Sequence, residues 1–263
     1  MKLAFDLISD LHVETWDQPF DWTGMATSML CLVTGDVSRD RQVLIDTLTH
    51  LGECYRAVFY IDGNDEHRNT LNDLGNSYRT LASEVSSIPN VTYLQDNVVI
   101  VDGIAFLGTN GWWNFDFDDQ IDYDETRYWF EDRWGVGTGE SSAIEAMAFQ
   151  DFAYLTKSIE RLQKHSDVKR IVLATHTVPM VGLIDHDIEL DGQYRKNCTG
   201  NSQILRALTH DTENKVAAWC FGHYHMPVDR TIHGIRFVNN CRGRGNTPWS
   251  KPVYNPVRIE IDF

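Results

Sequence analysis

A chain of 263 residues with 42% hydrophobic and 23% charged side chains has an ordinary globular composition and enough length to bury a large core. Its net charge of −15 speaks against an extended nucleic-acid-binding surface, because such surfaces draw most of their affinity from Lys and Arg on phosphates. The longest apolar stretches, such as Val98 to Val101 and Ile171 to Ala174, are far too short to span a bilayer, so no membrane partner is expected.

In chain order, Lys2 to Ile8 reads as a strand, followed by a loop to Gly24, a strand at Met29 to Val33 and a helix over Arg41 to Cys54. A strand at Ala57 to Ile61 leads to a long helix from about Asn69 to Val85. Pro89-Asn90 then punctuates before strands at Val91 to Leu94, Val98 to Val101 and Ile104 to Leu107. Asp102-Gly103 between two apolar runs predicts a two-residue hairpin, and His233-Gly234 predicts another. Ser141 to His165 carries Ile144, Ala148, Phe152, Leu155, Ile159 and Leu162 at helical spacing. Strands at Arg170 to Ala174, Val216 to Phe221, Val228 to Ile232, Ile235 to Asn239 and Val257 to Ile261 complete the chain. Strand–helix alternation early and hairpins later imply an α/β fold of two mixed sheets packed face to face with helices outside.

Residues 1–263 show no repeat or low-complexity linker, and one domain is expected. Its pattern is interrupted at about residues 110 to 140 by an aromatic and acidic loop insertion. Rings such as Trp112 and Trp113 can pack this loop onto the body, or can form a lid in which one or two stack on a substrate base. The strand that opens the chain runs into Asp10, so removal of an N-terminal leader would delete a candidate site residue, and a cytoplasmic protein is expected. Five cysteines without CxxC spacing, with Cys31 and Cys220 inside apolar strands, are expected as buried free thiols.

Five short motifs each follow an apolar, β-branched run. They are Ser9-Asp10-Leu11-His12, Thr34-Gly35-Asp36, Gly63-Asn64-Asp65-Glu66-His67, Thr175-His176-Thr177 and Gly222-His223-Tyr224-His225. Strand ends in an open α/β sheet converge on one edge, where such sheets place their sites. The seven side chains Asp10, His12, Asp36, Asn64, His176, His223 and His225 are of the kinds that bind two metal ions. Mixed imidazole and carboxylate donors suit divalent manganese, iron or zinc.

This set resembles the calcineurin-like metallophosphoesterase superfamily, whose pattern is DxH, GD, GNH followed by an acid, a lone His, and GHxH. The resemblance spans essentially the whole chain and includes Gly108-Thr109-Asn110-Gly111-Trp112 and Asn240-Cys241-Arg242-Gly243. It implies an αββα sandwich in which Asp10, His12 and His225 hold one divalent ion, Asn64, His176 and His223 hold another, and Asp36 bridges them. Manganese is the favoured ion. One departure matters: Asp65 stands where the family has the His read as the acid that protonates the leaving oxygen. An ionised carboxylate cannot donate that proton; His67 or His186 could replace it, each being otherwise an ordinary solvated polar residue. The departure favours a phosphodiesterase acting on a small phosphorylated substrate such as a nucleotide, or on a nucleic-acid end. A phosphomonoesterase, a nucleotide pyrophosphohydrolase and an interaction scaffold of low activity are the alternatives. Arg39, Arg242, His186, Trp112 and Trp113 are the candidate substrate-binding residues, the guanidinium forks being suited to phosphate oxygens.

Overall fold

The computed structural model describes residues 2–184, 193–245, 247–248 and 250–263. The first sheet holds β1 (Lys2–Ile8), β2 (Leu30–Thr34), β3 (Ala57–Ile61), β4 (Val91–Tyr93) and the last strand, β11 (Val257–Asp262). Its order is β11-β1-β2-β3-β4, parallel throughout except for β11, which runs antiparallel to β1. The second sheet holds β5 (Asn97–Val101), β6 (Ile104–Gly108), β7 (Arg170–Ala174), β8 (Val216–Phe221), β9 (Val228–Ile232) and β10 (Ile235–Asn239). It is mixed, with β6, β7, β8 and β10 parallel and the hairpin partners β5 and β9 antiparallel at its edges.

Both hairpins turn where expected: Asp102 and Gly103 take φ of 47° and 84°, and His233 and Gly234 take 50° and 82°. Positive φ at both central positions is the two-residue turn whose twist matches that of the flanking strands. Alternation along each strand then sends one set of side chains inward. Phe5, Leu7, Leu32, Phe59 and Ile61 of the first sheet meet Phe106, Val172, Ala174, Cys220 and Val238 of the second in a buried layer. Phe106 sits at the middle of it, with ring centroids 5.2 Å from Phe5 and 4.7 Å from Phe59.

Helices cover the outer faces. On the first sheet, α1 (Arg41–Cys54) and α2 (Leu74–Val85) lay Leu44, Leu48, Leu51, Leu81 and Val85 over Ile8, Val33, Val58 and Tyr60. Asp40 caps α1 by accepting from the backbone of Gln42 and Val43 at 2.9 and 3.0 Å, a cap worth about 1 kcal/mol. The turn expected to open the second helix is a 3-10 segment over Asp65–Asp73, kinked at Thr70, and α2 starts only where Asp73 caps Asn76.

The segment expected as a loop at 110–140 differs most from the sequence reading, because it contains α3 (Tyr123–Trp134). Asp122 caps it by accepting from the Glu125 backbone at 2.9 Å, and Gly135 ends it at φ 65°. A long helix, α4 (Thr138–Gln163), follows and packs Leu155, Ile159 and Leu162 under the second sheet, while α5 (Gln193–Asn197) is a single short turn that sequence periodicity did not flag. Trp112, Trp113, Phe115 and Phe130 are fully buried against Ile144 and Ala148, so these rings fasten the segment to the body. Asp151 of α4 anchors its start: the carboxylate accepts from the backbone of Gly111 and Trp112 at 2.8 and 3.0 Å and from the Thr109 hydroxyl. Among the described residues no helix is long and apolar enough to cross a membrane, and Cys31, Cys198, Cys220 and Cys241 are buried free thiols.

Asp151→Ala leaves two buried N–H groups without an acceptor and is expected to cost about 3 kcal/mol. Urea unfolding should show this as a lower midpoint with an unchanged slope.

Candidate metal centre

The carboxyl ends of β1, β2, β3, β7 and β8 carry the five motifs, and hydrogen bonds stitch these ends together across the two sheets. Thr34 donates its hydroxyl to the Phe221 carbonyl at 3.1 Å, and the Gly222 N–H donates to the His176 carbonyl at 2.8 Å. The Asp10 and His12 N–H groups donate to the carbonyls of Gly35 and Asp36, both at 3.0 Å. Backbone strain collects at the same place. Asp10, His12, Asp36 and His223 have φ of 50°, 42°, 51° and 64°, each in the left-handed region that costs a non-glycine residue about 1–3 kcal/mol. Glycine is required beside them. A Cβ on Gly63 would lie 2.2 Å from Asp36 Oδ1, and one on Gly222 would lie 2.2 Å from Ser9 Oγ and 2.6 Å from Asp10 Oδ2.

Two groups of donors result. Asp10, His12, Asp36 and His225 bring ligand atoms within 4.8 Å of one another, and Asp36, His176 and His223 do the same. Asp36 is common to both and turns one oxygen to each: Oδ2 lies 3.6 Å from His12 Nε2, and Oδ1 lies 3.4 Å from His176 Nε2. Asn64 joins the second group, its Oδ1 being 3.2 Å from His176 Nε2. The His12 and His225 Nε2 atoms stand 3.0 Å apart, and His225 Nε2 is 3.3 Å from Asp10 Oδ1.

The outer ring nitrogens of two histidines have carbonyl partners. His176 Nδ1 donates to Thr34 O at 2.8 Å, which leaves Nε2 as the lone-pair donor. His223 Nε2 donates to Cys198 O at 3.0 Å, which leaves Nδ1. Such second hydrogen bonds fix the tautomer that a metal needs. Lone pairs of imidazole and carboxylate converging at these distances fit a divalent cation, and their mixture suits manganese, iron or zinc.

The electrostatics express the same demand for positive charge. Burial opposes a proton on His176, but Asp36 outweighs it and raises the pKa to about 10. Burial pushes Asp36 up while His176 pulls it further down, well below the carboxylate range. Burial and His176 together push His223 down to about 4. Glu66, raised to about 8 by burial and by Asp36, is a framework group: its oxygens accept from the backbone of Gly63, Asp36 and Val37 at 2.8, 3.1 and 2.6 Å.

Asp65 sits at the mouth of this cluster, 1% exposed, with its Oδ2 at 3.0 Å from Arg39 Nε, 3.3 Å from His12 Nδ1 and ion-paired to Arg244. Burial and Asp36 favour its neutral form, yet His12 and Arg244 overcome them and hold its pKa below the usual carboxylate range. The Asp65 carboxylate is therefore anionic at neutral pH. A cleft of about 680 Å³ opens from the cluster, lined there by Asp36, Asn64, Asp65, His223 and His225.

The candidate substrate residues divide. Arg39 and Trp113 line the cleft, with the Trp113 ring stacked on His223 at 5.5 Å. Trp112 does not line it; it is a core ring whose Nε1 donates to Tyr78 OH at 2.7 Å. Arg242 is also absent from the lining, because its guanidinium lies 4.0 Å over the Trp16 ring. His67, proposed as a replacement acid, is fully buried between Asp62 at 2.9 Å and Ser77 at 2.7 Å. Both its nitrogens are engaged there, and it cannot reach a leaving group in the cleft. His186 lies outside the described residues. Sequence reasoning missed Arg68, Trp129, Arg133 and Trp134, which also line the cleft. The spacing of Trp129 and Arg133, one turn apart, would have marked them as one face had the Asp122-x-x-Glu125 cap been read as a helix start.

No family model matches the chain. A phosphopantetheinyl hydrolase of Mycobacterium tuberculosis superposes with a TM-score of 0.69 at 19% identity, covering 97% of this chain and 99% of that one. A candidate 5′-nucleotidase of Staphylococcus aureus gives 0.53 at 14% identity over 100% of this chain and 51% of its own. The fold, two mixed sheets between layers of helices, is the αββα sandwich of these structural neighbours. By sequence the chain is 22% identical to an uncharacterized protein of Acanthamoeba polyphaga mimivirus over 222 residues, 79% of this chain and 75% of that protein.

With one Asp36 oxygen facing each donor group, Asp36→Asn is expected to lower metal content from about two ions per chain to below one after reconstitution with manganese. Loss of a ligand serving only one group, as in His225→Ala, should leave about one ion. Elemental analysis of both variants against the parent protein checks this ordering.

Proposed function

We propose that this protein is a dinuclear metal-dependent phosphoesterase whose preferred substrates are phosphodiesters, of a small nucleotide or a nucleic-acid end. The observation that supports it most is the placement of Asp36 between the two donor groups, one oxygen toward His12 and the other toward His176. In the proposed assignment Asp10, His12 and His225 hold one ion, Asn64, His176 and His223 the other, and Asp36 both. Two such ions, when bound, supply Lewis-acid polarisation of a phosphoryl group. The chain's own residues do the rest. Thr34 and Cys198 hold the His176 and His223 tautomers, Glu66 holds the Asp36 loop, and Arg39 and Arg244 present guanidinium groups beside the phosphate position.

Asp65 supports the diester reading. Its ionised carboxylate orients His12 and two arginines and has no proton to give a leaving oxygen. His67, buried behind the motif, cannot take over. An ester whose leaving group is a weak base needs no proton in the transition state, whereas an alkoxide does. The phosphopantetheinyl hydrolase to which the chain is similar in fold is by name a hydrolase, which accords with hydrolysis here.

Chelation should abolish hydrolysis of bis(p-nitrophenyl) phosphate, and added manganese should restore it. Rates across a series of diesters should fall steeply as the leaving group becomes more basic. Aryl and alkyl esters are expected to differ by about a hundred- to ten-thousand-fold, the range associated with general acid catalysis. A flat dependence would show that the cleft holds a proton donor. No hydrolysis of any ester by the reconstituted protein would leave the fold serving as a scaffold.

A further inference from the structure

The cleft is charged opposite to the chain. The sequence carries a net charge of −15, yet the cleft is lined by five arginines, Arg39, Arg68, Arg133, Arg195 and Arg244, against the two carboxylates of Asp36 and Asp65. Arg39 and Arg244 are both spent on Asp65 and stand at the metal end. Arg68 and Arg133 are different. Neither has a carboxylate partner among the described residues, and both belong to the wall built by the 3-10 segment after Asp65 and by α3.

Arg68 is half-buried and held in place, its guanidinium 3.7 Å from the centroid of the Trp134 ring. Stacking on tryptophan fixes the plane of a guanidinium and leaves its N–H edge free to meet an anion. Burial and the neighbouring Arg39 press its pKa down, so the arginines repel one another here. Such repulsion costs stability unless an anion relieves it.

A phosphodiester has a single charge. Two dications, when bound, would already meet it, and Arg39 and Arg244 are paired with Asp65; this leaves Arg68 and Arg133 without a task in a monoanionic substrate. We propose, building on the phosphoesterase reading, that Arg68 and Arg133 form a second anion subsite, so that the substrate is a small molecule bearing a further phosphate beyond the ester that is cleaved. The exposed Arg133 and the half-buried Trp129, one turn apart on α3, give this wall a guanidinium and a flat ring on one face. That pairing suits a nucleotide carrying a second phosphate. An extended strand of nucleic acid would need a basic track outside the cleft as well, and a net charge of −15 speaks against one.

The test compares ligands that differ by one phosphate. Binding of adenosine 5′-monophosphate, adenosine 3′,5′-bisphosphate and the methylene analogue of adenosine 5′-diphosphate to manganese-loaded protein is measured by calorimetry. At least one doubly phosphorylated ligand is expected to bind about tenfold or more tightly than the monophosphate, the increment of one charge-assisted contact. That gap should shrink to about threefold or less in Arg68→Met and in Arg133→Glu, and it should narrow as salt rises. Arg133 is exposed on α3, so Arg133→Glu keeps the fold even where Arg68→Met loosens the Trp134 contact; melting curves separate the two effects. Equal affinities for all three ligands, or a gap that survives in both variants, would overturn the subsite. A gap in a protein that cleaves no phosphoester would sink the proposed reaction and leave the subsite standing; turnover without a gap would do the reverse.

Discussion

Everything in the site depends on holding the carboxylates Asp10 and Asp36 without solvent at the seam of two sheets. Both are buried, both lie in left-handed backbone conformations, and both sit within reach of imidazoles. Burial alone would drive such groups to their neutral forms. They remain anionic because His176 and His225 lie beside them and because backbone N–H groups point at them, as those of His223 and Asp65 do at 3.0 and 2.9 Å. The strained loops, the obligatory glycines and the Glu66 clamp all serve that arrangement. A framework that spends this much strain to gather lone pairs is stable only around positive charge, whether protons or metal ions.

Asp65 shows how one substitution of type reshapes a neighbourhood. A carboxylate at the cleft mouth would repel an anionic substrate if it stood alone. Here it is outnumbered by the guanidinium groups of Arg39 and Arg244, so these three side chains together carry positive charge. Through one oxygen, Oδ2, the same carboxylate holds two guanidinium groups, which a neutral residue would bind less strongly. Charge of the whole chain and charge of the cleft thus have opposite signs.

Most of the scaffold was legible because its elements are long, periodic and punctuated. The strands Lys2–Ile8, Ala57–Ile61, Arg170–Ala174 and Val216–Phe221 and the helix Arg41–Cys54 lie where alternation and capping residues put them. The helix Tyr123–Trp134 was illegible as a helix because its aromatic and acidic residues have almost no apolar periodicity. Its packing is decided by rings reaching out to α4 and to the 3-10 segment. His67 misled for a related reason: three residues from Asn64 in sequence, it turns away on a helical segment to bond Asp62 and Ser77.

The sequence by itself determined the fold class, the strand ends and the residue types gathered there, since these follow from local periodicity and from motifs placed directly after strands. Tertiary structure decided which of those residues face one another. Asp36 divides its oxygens between two donor groups, Trp112 and Arg242 turn to the core and to Trp16, and Arg68 meets Trp134 across 66 positions of chain. Side-chain direction at a turn depends on φ and on the neighbours that distant segments supply, and neither is written in the spacing of a motif.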